Sequence, residues 1–399
     1  MYFGCLNKSD YICNYNKFVY TMIKFHDVKT TDRELVQSYT LCSDRQNCDL
    51  SFANIISWRF LYNTQIAEVD GFLVFRFYIG HHLAYMAPVW KGEWNELMRE
   101  PFAKVVRQMR DDSITLGHPF LMLGVCTNMV EILESIFPDT FYIKPDRDYF
   151  DYIYTREKLA TLAGKKLQSK RNHCNRFRKT YPNYEYRPLT KDMIPECLAV
   201  EAKWRTVTKE DNNEEEELSE ELRSMTRVFE LWDEVGALGG TIWVDGKLIA
   251  FTFGCPITNR TFDVCVEKAD TAYEGAFSII NQEFAMHLPE QYEYMNREED
   301  LGLEGLRYAK LSYKPDILLE KNVVMEKLPL AQEENQERIK EETISLWRDT
   351  FHDPEAFIEL YFSRVFKPEY NVTCQLNQHT VAALQTLPYQ LKYYNKEVK

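Results

Sequence analysis

Thr241-Ile-Trp-Val-Asp-Gly-Lys-Leu-Ile-Ala-Phe-Thr-Phe253 holds two apolar runs joined at Asp245-Gly246. An Asp-Gly pair between alternating apolar residues is a strong hairpin signal, because the tight turn needs φ > 0 and glycine adopts it without steric cost. Residues 261–267 supply a third strand. Residues 275–284 place Phe277, Ile280 and Phe284 at helical spacing. A short strand over 292–295, a polar turn over 296–302 and a second short helix over 305–311 follow, and a last strand begins after Pro315. The stretch therefore predicts β-β-β-α-β-α-β, an α/β (α+β) unit whose mixed, mostly antiparallel sheet is flanked by helices.

Upstream the pattern recurs. Val69-Asp70-Gly71-Phe72-Leu73 matches Val244-Asp245-Gly246-Lys247-Leu248 at an offset of 175 residues. Before it, residues 30–62 read as helices, with Phe52, Ile55, Ile56 and Phe60 on one stripe. After it come a strand over 81–89, a helix over 94–109, a strand over 120–126, a helix over 128–137 and a closing strand over 149–154. Self-similarity at one offset indicates a tandem duplication. The expected division is an N-terminal extension (1–21), a first copy (22–160), a second copy (161–326), a linker (327–343) and an incomplete third unit (344–399). That third unit begins with two helices and a strand pair broken near Asn377-Gln378.

Composition narrows the class. The 399 residues carry a net charge of −13 and 14% aromatics, a well-cored protein unsuited to general nucleic-acid binding, which needs Lys and Arg to neutralise phosphates. No apolar run reaches membrane-spanning length. The first 21 residues lack the cationic start and apolar block of a secretory signal; Met22 reads as an alternative start. Ten cysteines occur without paired CxxC spacing, which reads as free thiols in a reducing cytoplasm and leaves no zinc signature.

Between the copies lies the most basic stretch, residues 164–179, with Lys165, Lys166, Lys170, Arg171, Arg176, Arg178 and Lys179 and no acid. Leu167, Cys174, Phe177 and Tyr181 form a narrow apolar seam at helical spacing. The cations are either a solvated helix face or a site for an anionic substrate such as an RNA end. Farther on, helices are expected over 194–206 and 220–235, around a solvated acidic loop at 211–217.

The element order resembles that of the GNAT acyltransferase fold. With residues 164–179, Gly275, Asn296 at a strand end and Gly305-Leu306-Arg307-x-x-Lys310-x-x-Tyr313-x-Pro315, residues 22–326 resemble the C-terminal domain family of phosphatidylglycerol lysyltransferases. That family is a tandem GNAT fold related to the Fem aminoacyltransferases. The resemblance implies transfer of an amino acid from aminoacyl-tRNA to a hydroxyl, with no metal and no CoA. This chain departs from the pattern at Ser312, where a second lysine is expected, and it shows no membrane-spanning half, so the acceptor is a small molecule or a lipid headgroup. A GNAT domain using acetyl-CoA cradles the pyrophosphate on backbone amides in an Arg/Gln-x-x-Gly-x-Gly/Ala turn. Here the turn reads Ala272-Tyr-Glu-Gly275-Ala276, with Glu274 where phosphate would sit, so acetyl-CoA is not favoured. The last 60 residues resemble the start of an ordinary GNAT N-acetyltransferase.

Acyl transfer needs a base for the nucleophile and a donor for the developing oxyanion. Glu267 and Asp270 end one strand, and Glu298, Glu299 and Asp300 follow the next. Neighbouring strand ends in an α/β sheet converge on one crevice, so these acids are the candidate catalytic groups. Lys165, Arg171, Lys268, Gly275, Asn296, Arg297, Lys310 and Tyr313 are the candidate substrate-binding groups. The same residues also read as an ion-pair network tying loops together. No metal ligand set is expected. The leading reading is a tandem-GNAT acyltransferase; the alternatives are an acetyl-CoA-dependent N-acetyltransferase and a catalytically silent binding protein.

Overall fold

The computed structural model describes residues 22–211, 215–327, 330–331, 336–367, 371–376, 379–385, 391–393 and 396–398. The expected extension (1–21), the centre of the acidic loop and the break at Asn377-Gln378 lie outside them.

The first copy opens with β1 (His26–Asp27) and the helices Arg33–Thr40 and Phe52–Ser57. It continues through β2 (Gln65–Val69), β3 (Phe72–Ile79), β4 (His82–Tyr85), the helix Arg99–Thr115, β5 (Leu121–Cys126), the helix Thr127–Ile136, β6 (Phe141–Pro145) and β7 (Asp151–Thr155). The helices Arg156–Thr161 and Gln168–Thr180 connect the copies. The second copy has β8 (Glu185–Pro188), the helices Ile194–Asp211 and Glu215–Glu230, β9 (Leu238–Val244), β10 (Lys247–Pro256), β11 (Thr261–Ala269) and the helix Ala276–His287. It ends with β12 (Tyr294–Asn296), the helix Glu304–Ser312, β13 (Ile317–Leu319) and β14 (Lys321–Glu326). Both hairpin turns are as their residues require. Asp70 and Gly71 have φ of 49° and 83°, Asp245 and Gly246 φ of 49° and 76°, positive at both central positions as in a type I′ turn.

Two seven-stranded sheets result, ordered β1-β2-β3-β4-β5-β14-β6 and β8-β9-β10-β11-β12-β7-β13. They correspond position by position. Only the fourth and fifth strands are parallel (β4 with β5, β11 with β12), and every other neighbouring pair is antiparallel. This is a tandem GNAT fold with one departure from the sequence reading. The strand expected to close the first copy, β7, is hydrogen-bonded between β12 and β13 of the second sheet, and β14 occupies the matching place between β5 and β6 of the first. The single strand expected after Pro315 is two strands, one in each sheet. Each copy thus completes the other.

Three apolar cores alternate with the sheets. Phe72 and Val74 point to a core with Phe102, Val106 and Leu133, while Leu73 and Phe75, one residue along, point the other way, as the two-residue period of a strand demands. The middle core is shared: Leu73 and Phe75 meet Phe52, Ile56, Phe229, Phe251 and Phe253. The third lies under the helix Ala276–His287 and includes Ile242, Ile249, Ile280, Phe177 and Tyr154. Each fully buried phenylalanine contributes roughly 2–3 kcal/mol of apolar transfer free energy, so the shared core binds the copies firmly.

Beyond residue 327, β15 (Leu330–Ala331), the helices Gln336–Phe351 and Glu355–Arg364, β16 (Asn371–Leu376) and β17 (His379–Gln385) form a sheet ordered β15-β16-β17. This repeats the β-α-α-β-β opening of each copy, over a small core of Ile339, Ile358, Phe362 and Phe366. The first of these helices starts at Gln336, inside the segment read as linker. Among the described residues no helix is long and apolar enough to cross a membrane.

Candidate active site

β12 pairs with β11 only from Thr261 to Asp263. Beyond Asp263, β11 runs on to Ala269 while the chain after Asn296 stays on β7, Arg297 N–H donating to Tyr152 O at 2.9 Å. The two parallel strands therefore splay apart. In the first sheet β4 and β5 share a single paired position, Tyr85 with Met122.

On the face of the wedge under the helix Ala276–His287, Glu267 Oε1 lies 3.0 Å from Arg297 Nη2 and its Oε2 accepts from Asn281 Nδ2 at 3.1 Å. The Arg297 guanidinium sits 5.0 Å from the Tyr313 ring centre and 5.9 Å from that of Tyr154. Lys170 Nζ, reaching in from the basic helix, stands 4.3 Å over Tyr313. Burial, with Arg297 nearby, holds the Lys170 ammonium below its ordinary pKa. Arg297 Nη1 is buried and, among the described residues, has no hydrogen-bond partner. A buried donor left unpaired is costly unless a ligand takes it.

The opposite face is acidic. Asp263 and Cys265 project from β11, two residues apart, towards Glu298, and Asn54 Nδ2 donates to Asp263 Oδ2 at 3.1 Å and Glu298 Oε1 at 2.8 Å. Burial, together with the neighbouring carboxylates, pushes both carboxyls well above their ordinary range. Beside them lies an ion cluster built from both copies. Lys321 of β14 is 2.7 Å from Asp151 of β7 and 2.8 Å from Asp49, with Cys48 Sγ at 3.5 Å and Glu299 at 3.9 Å. Burial opposes the Lys321 charge, yet Asp151 and Asp49 raise its pKa well above the usual value. Burial also pushes the Cys48 thiol up.

The predicted residues are placed as follows. Glu267 and Arg297 meet in the wedge with Tyr313 beside them. Glu298 and Glu299 lie on its acidic side. Asn296 is fully buried and donates to Asp151 Oδ2 and to Gln46 O, both at 2.7 Å. Lys310 Nζ donates to the backbone carbonyls of Arg297 and Glu299 and so holds the loop that shapes the wedge. Asp300 is set apart, gripped by Arg307, Arg147 and Tyr152. Asp270 is held by Lys203 and Lys247 at the far end of β11 and caps Ala272 N–H at 3.1 Å. Lys268 points to the other side of the strand from Glu267, onto Trp204 and Glu221. Arg171 donates to Leu162 O and Gly164 O, and Lys165 is exposed on a groove of about 440 Å³ with Lys166, Gln168, Asn172, His173 and Arg176. Asp263, Cys265, Asp151, Lys321 and Asn281 were not singled out by sequence reasoning. The available signal was Asp263, a carboxylate between apolar residues of a strand.

Gly275 has φ of 90°, and a Cβ there would stand 3.2 Å from His173 O and 3.4 Å from Phe177 Cβ. The helix Gln168–Thr180 is packed directly on the turn, Ala276 N–H is donated to Tyr273 O at 3.0 Å, and Glu274 pairs with Arg176.

A solved structure of a conserved protein of unknown function from Bacteroides thetaiotaomicron is 51% identical, with a TM-score of 0.72, over 77% of this chain and 100% of that one. The C-terminal domain of a putative lysylphosphatidylglycerol synthetase from Agrobacterium fabrum shares the fold at 12% identity, TM-score 0.52, over 74% of this chain and 92% of that one. An uncharacterized protein of Mycoplasmoides gallisepticum is 24% identical over 177 residues, 44% of this chain and 55% of its own length, so the match spans about half of that relative. The profile of the family described as "Phosphatidylglycerol lysyltransferase, C-terminal" matches residues 42–324, which takes in the whole wedge and both sheets except β1 and the last residues of β14. The chain belongs to that family of GNAT-like acyltransferases.

Proposed function

We propose that this protein moves an aminoacyl group from an aminoacyl-tRNA to an amine or hydroxyl acceptor, a small molecule or a lipid headgroup, in the wedge between β11 and β12. The observation that carries this reading is the Arg297 Nη1 donor, buried and, among the described residues, without a hydrogen-bond partner beside the Glu267 carboxylate. Glu267 takes the proton of the incoming nucleophile, which attacks the aminoacyl carbonyl. Arg297 Nη1–H donates to the resulting oxyanion, where a preorganised donor contributes most. As the ester bond to the ribose oxygen breaks, the proton on Glu267 passes to that leaving oxygen. Tyr313 packs beside the guanidinium, and Lys170 over the same ring keeps the site electropositive.

Two further features support an RNA donor over acetyl-CoA. The helix Gln168–Thr180 and the short helical turn just before it carry both Lys170, at the wedge, and the exposed Lys165, Lys166 and Arg176 groove, a local cationic path on a chain of net charge −13. The Gly275 turn, where a GNAT domain would cradle a pyrophosphate, is covered by that same helix and flanked by Glu274, which favours a donor other than CoA.

The test is discharge of a panel of radiolabelled aminoacyl-tRNAs, followed by chromatography of the acceptor product. Removal of one general base typically costs about 10²–10⁴ in rate, so Glu267→Gln should lose at least a hundredfold with unchanged folding. Transfer that survives this substitution, or that proceeds from acetyl-CoA, refutes the proposal.

A further inference from the structure

We propose that Asp263, Cys265 and Glu298 bind a divalent transition metal of the zinc class, on the acidic face of the wedge. Their ligand atoms lie within 4.8 Å of one another. Asp263 and Cys265 reach that point together at a bulge in β11, where its register against β10 shifts between Phe253 and Cys255, and Glu298 arrives from the end of β12. Asp263 is directed into the group, its Oδ2 being 3.2 Å from Cys265 Sγ. Its side chain has no solvent exposure, and among the described residues its Oδ1 has no hydrogen-bond partner. A buried carboxylate is ordinarily paired or bound to a metal.

The neighbouring cluster supplies an internal comparison. Cys48, Asp151 and Glu299 form a second triad of the same composition, and there Lys321 brings its ammonium to 2.7 Å from Asp151. Around Asp263 and Glu298 the neutral Asn54 amide donates to both carboxylates, and among the described residues no Lys or Arg lies within ion-pair distance of either. The first triad has a cation in contact; near the second, Lys310 is engaged by the carbonyls of Arg297 and Glu299. A thiolate with two carboxylates suits a borderline ion such as Zn²⁺. Calcium and magnesium prefer all-oxygen shells. Asn54 would then orient both carboxylates, the usual role of an amide behind metal ligands. Ser51 Oγ lies 4.0 Å from Cys265 Sγ. Sequence spacing gave no hint of this, since the ligands come from one strand and the end of another.

The inference is independent of the transfer reaction and is tested without any donor. The full chain, dialysed against chelator, is titrated with Co²⁺ and then with Zn²⁺. One equivalent of Co²⁺ should bind with a thiolate-to-metal charge-transfer band, displaced by Zn²⁺, and Zn²⁺ should raise the melting temperature as a ligand of the native state does. Cys265→Ser should abolish the band and Glu298→Gln should weaken binding at least tenfold. Cys48→Ser, in the cluster that holds Lys321, should leave both unchanged. Absence of saturable binding, binding without the thiolate band, or loss of the band in Cys48→Ser rather than Cys265→Ser overturns the proposal. If Cys265→Ser does not fold, the Glu298→Gln titration and the Zn²⁺-induced melting shift of the native chain decide it.

Discussion

Replacing Lys321 with Met tests how the two copies are held together. Lys321 sits on β14 and Asp151 on β7, the two exchanged strands, and the ammonium is 2% exposed. Removing it strands a fully buried carboxylate, Asp151, and a second, Asp49, whose side chain is 31% exposed. Breaking a buried pair by deleting one partner costs about 3–5 kcal/mol, and the partial exposure of Asp49 places this case near the middle of that range. With a urea slope of about 3 kcal/mol per molar, the denaturation midpoint should fall by more than about 1 M. The sign of the pH dependence follows. Burial already raises the Asp151 pKa, and Lys321 is the main charge that opposes the rise. A carboxyl whose folded pKa exceeds its unfolded value gains stability as pH falls through the folded value. The gap between variant and wild type should therefore narrow in acid. Adding Asp151→Asn to Lys321→Met should cost less than the sum of the two single changes, because removing both charges leaves neither uncompensated. Urea titrations at pH 8 and pH 5 read all of this. A single-variant loss under about 1 kcal/mol, or strict additivity, would refute the assigned pairing.

Other outcomes follow from the same geometry. Residues 22–160 or 161–326 expressed alone should fail to give a cooperative melt, because each sheet lacks its sixth strand, and the two pieces should co-purify when produced together. Gly275→Ala should destabilise by about 1–3 kcal/mol in thermal or urea unfolding, since the backbone is held at φ 90° against His173 O. Asp300 is held below the usual carboxylate range: burial opposes its charge, but Arg307, Tyr152, Gly302 N–H and Arg147 outweigh it. Its stabilisation should be complete above about pH 5 and lost as pH falls through the depressed folded value. Asp300→Asn should accordingly cost about 2–3 kcal/mol at pH 7 and progressively less in acid.

Local chemistry was legible in the sequence and long-range pairing was not. The Asp70-Gly71 and Asp245-Gly246 turns follow from backbone sterics alone, and the seam Leu167, Cys174 and Phe177 is buried where helical spacing put it. The exchange of β7 and β14 was invisible, because a strand of five or six residues carries no mark of its partner. The meeting of Glu267 with Arg297 follows from strand ends converging. The separation of Lys268 follows from its opposite parity on β11, which sequence proximity conceals. The Lys321 cluster draws on residues 48–49, 151, 299 and 321, and no window along the chain contains them together.

The most direct measurement is the single-turnover discharge rate of aminoacyl-tRNA by Arg297→Met against wild type, with tRNA binding measured in parallel. The account predicts a rate lower by about 10²–10³ with binding changed little, the signature of a lost oxyanion donor. An unchanged rate, or a loss confined to binding, would contradict it.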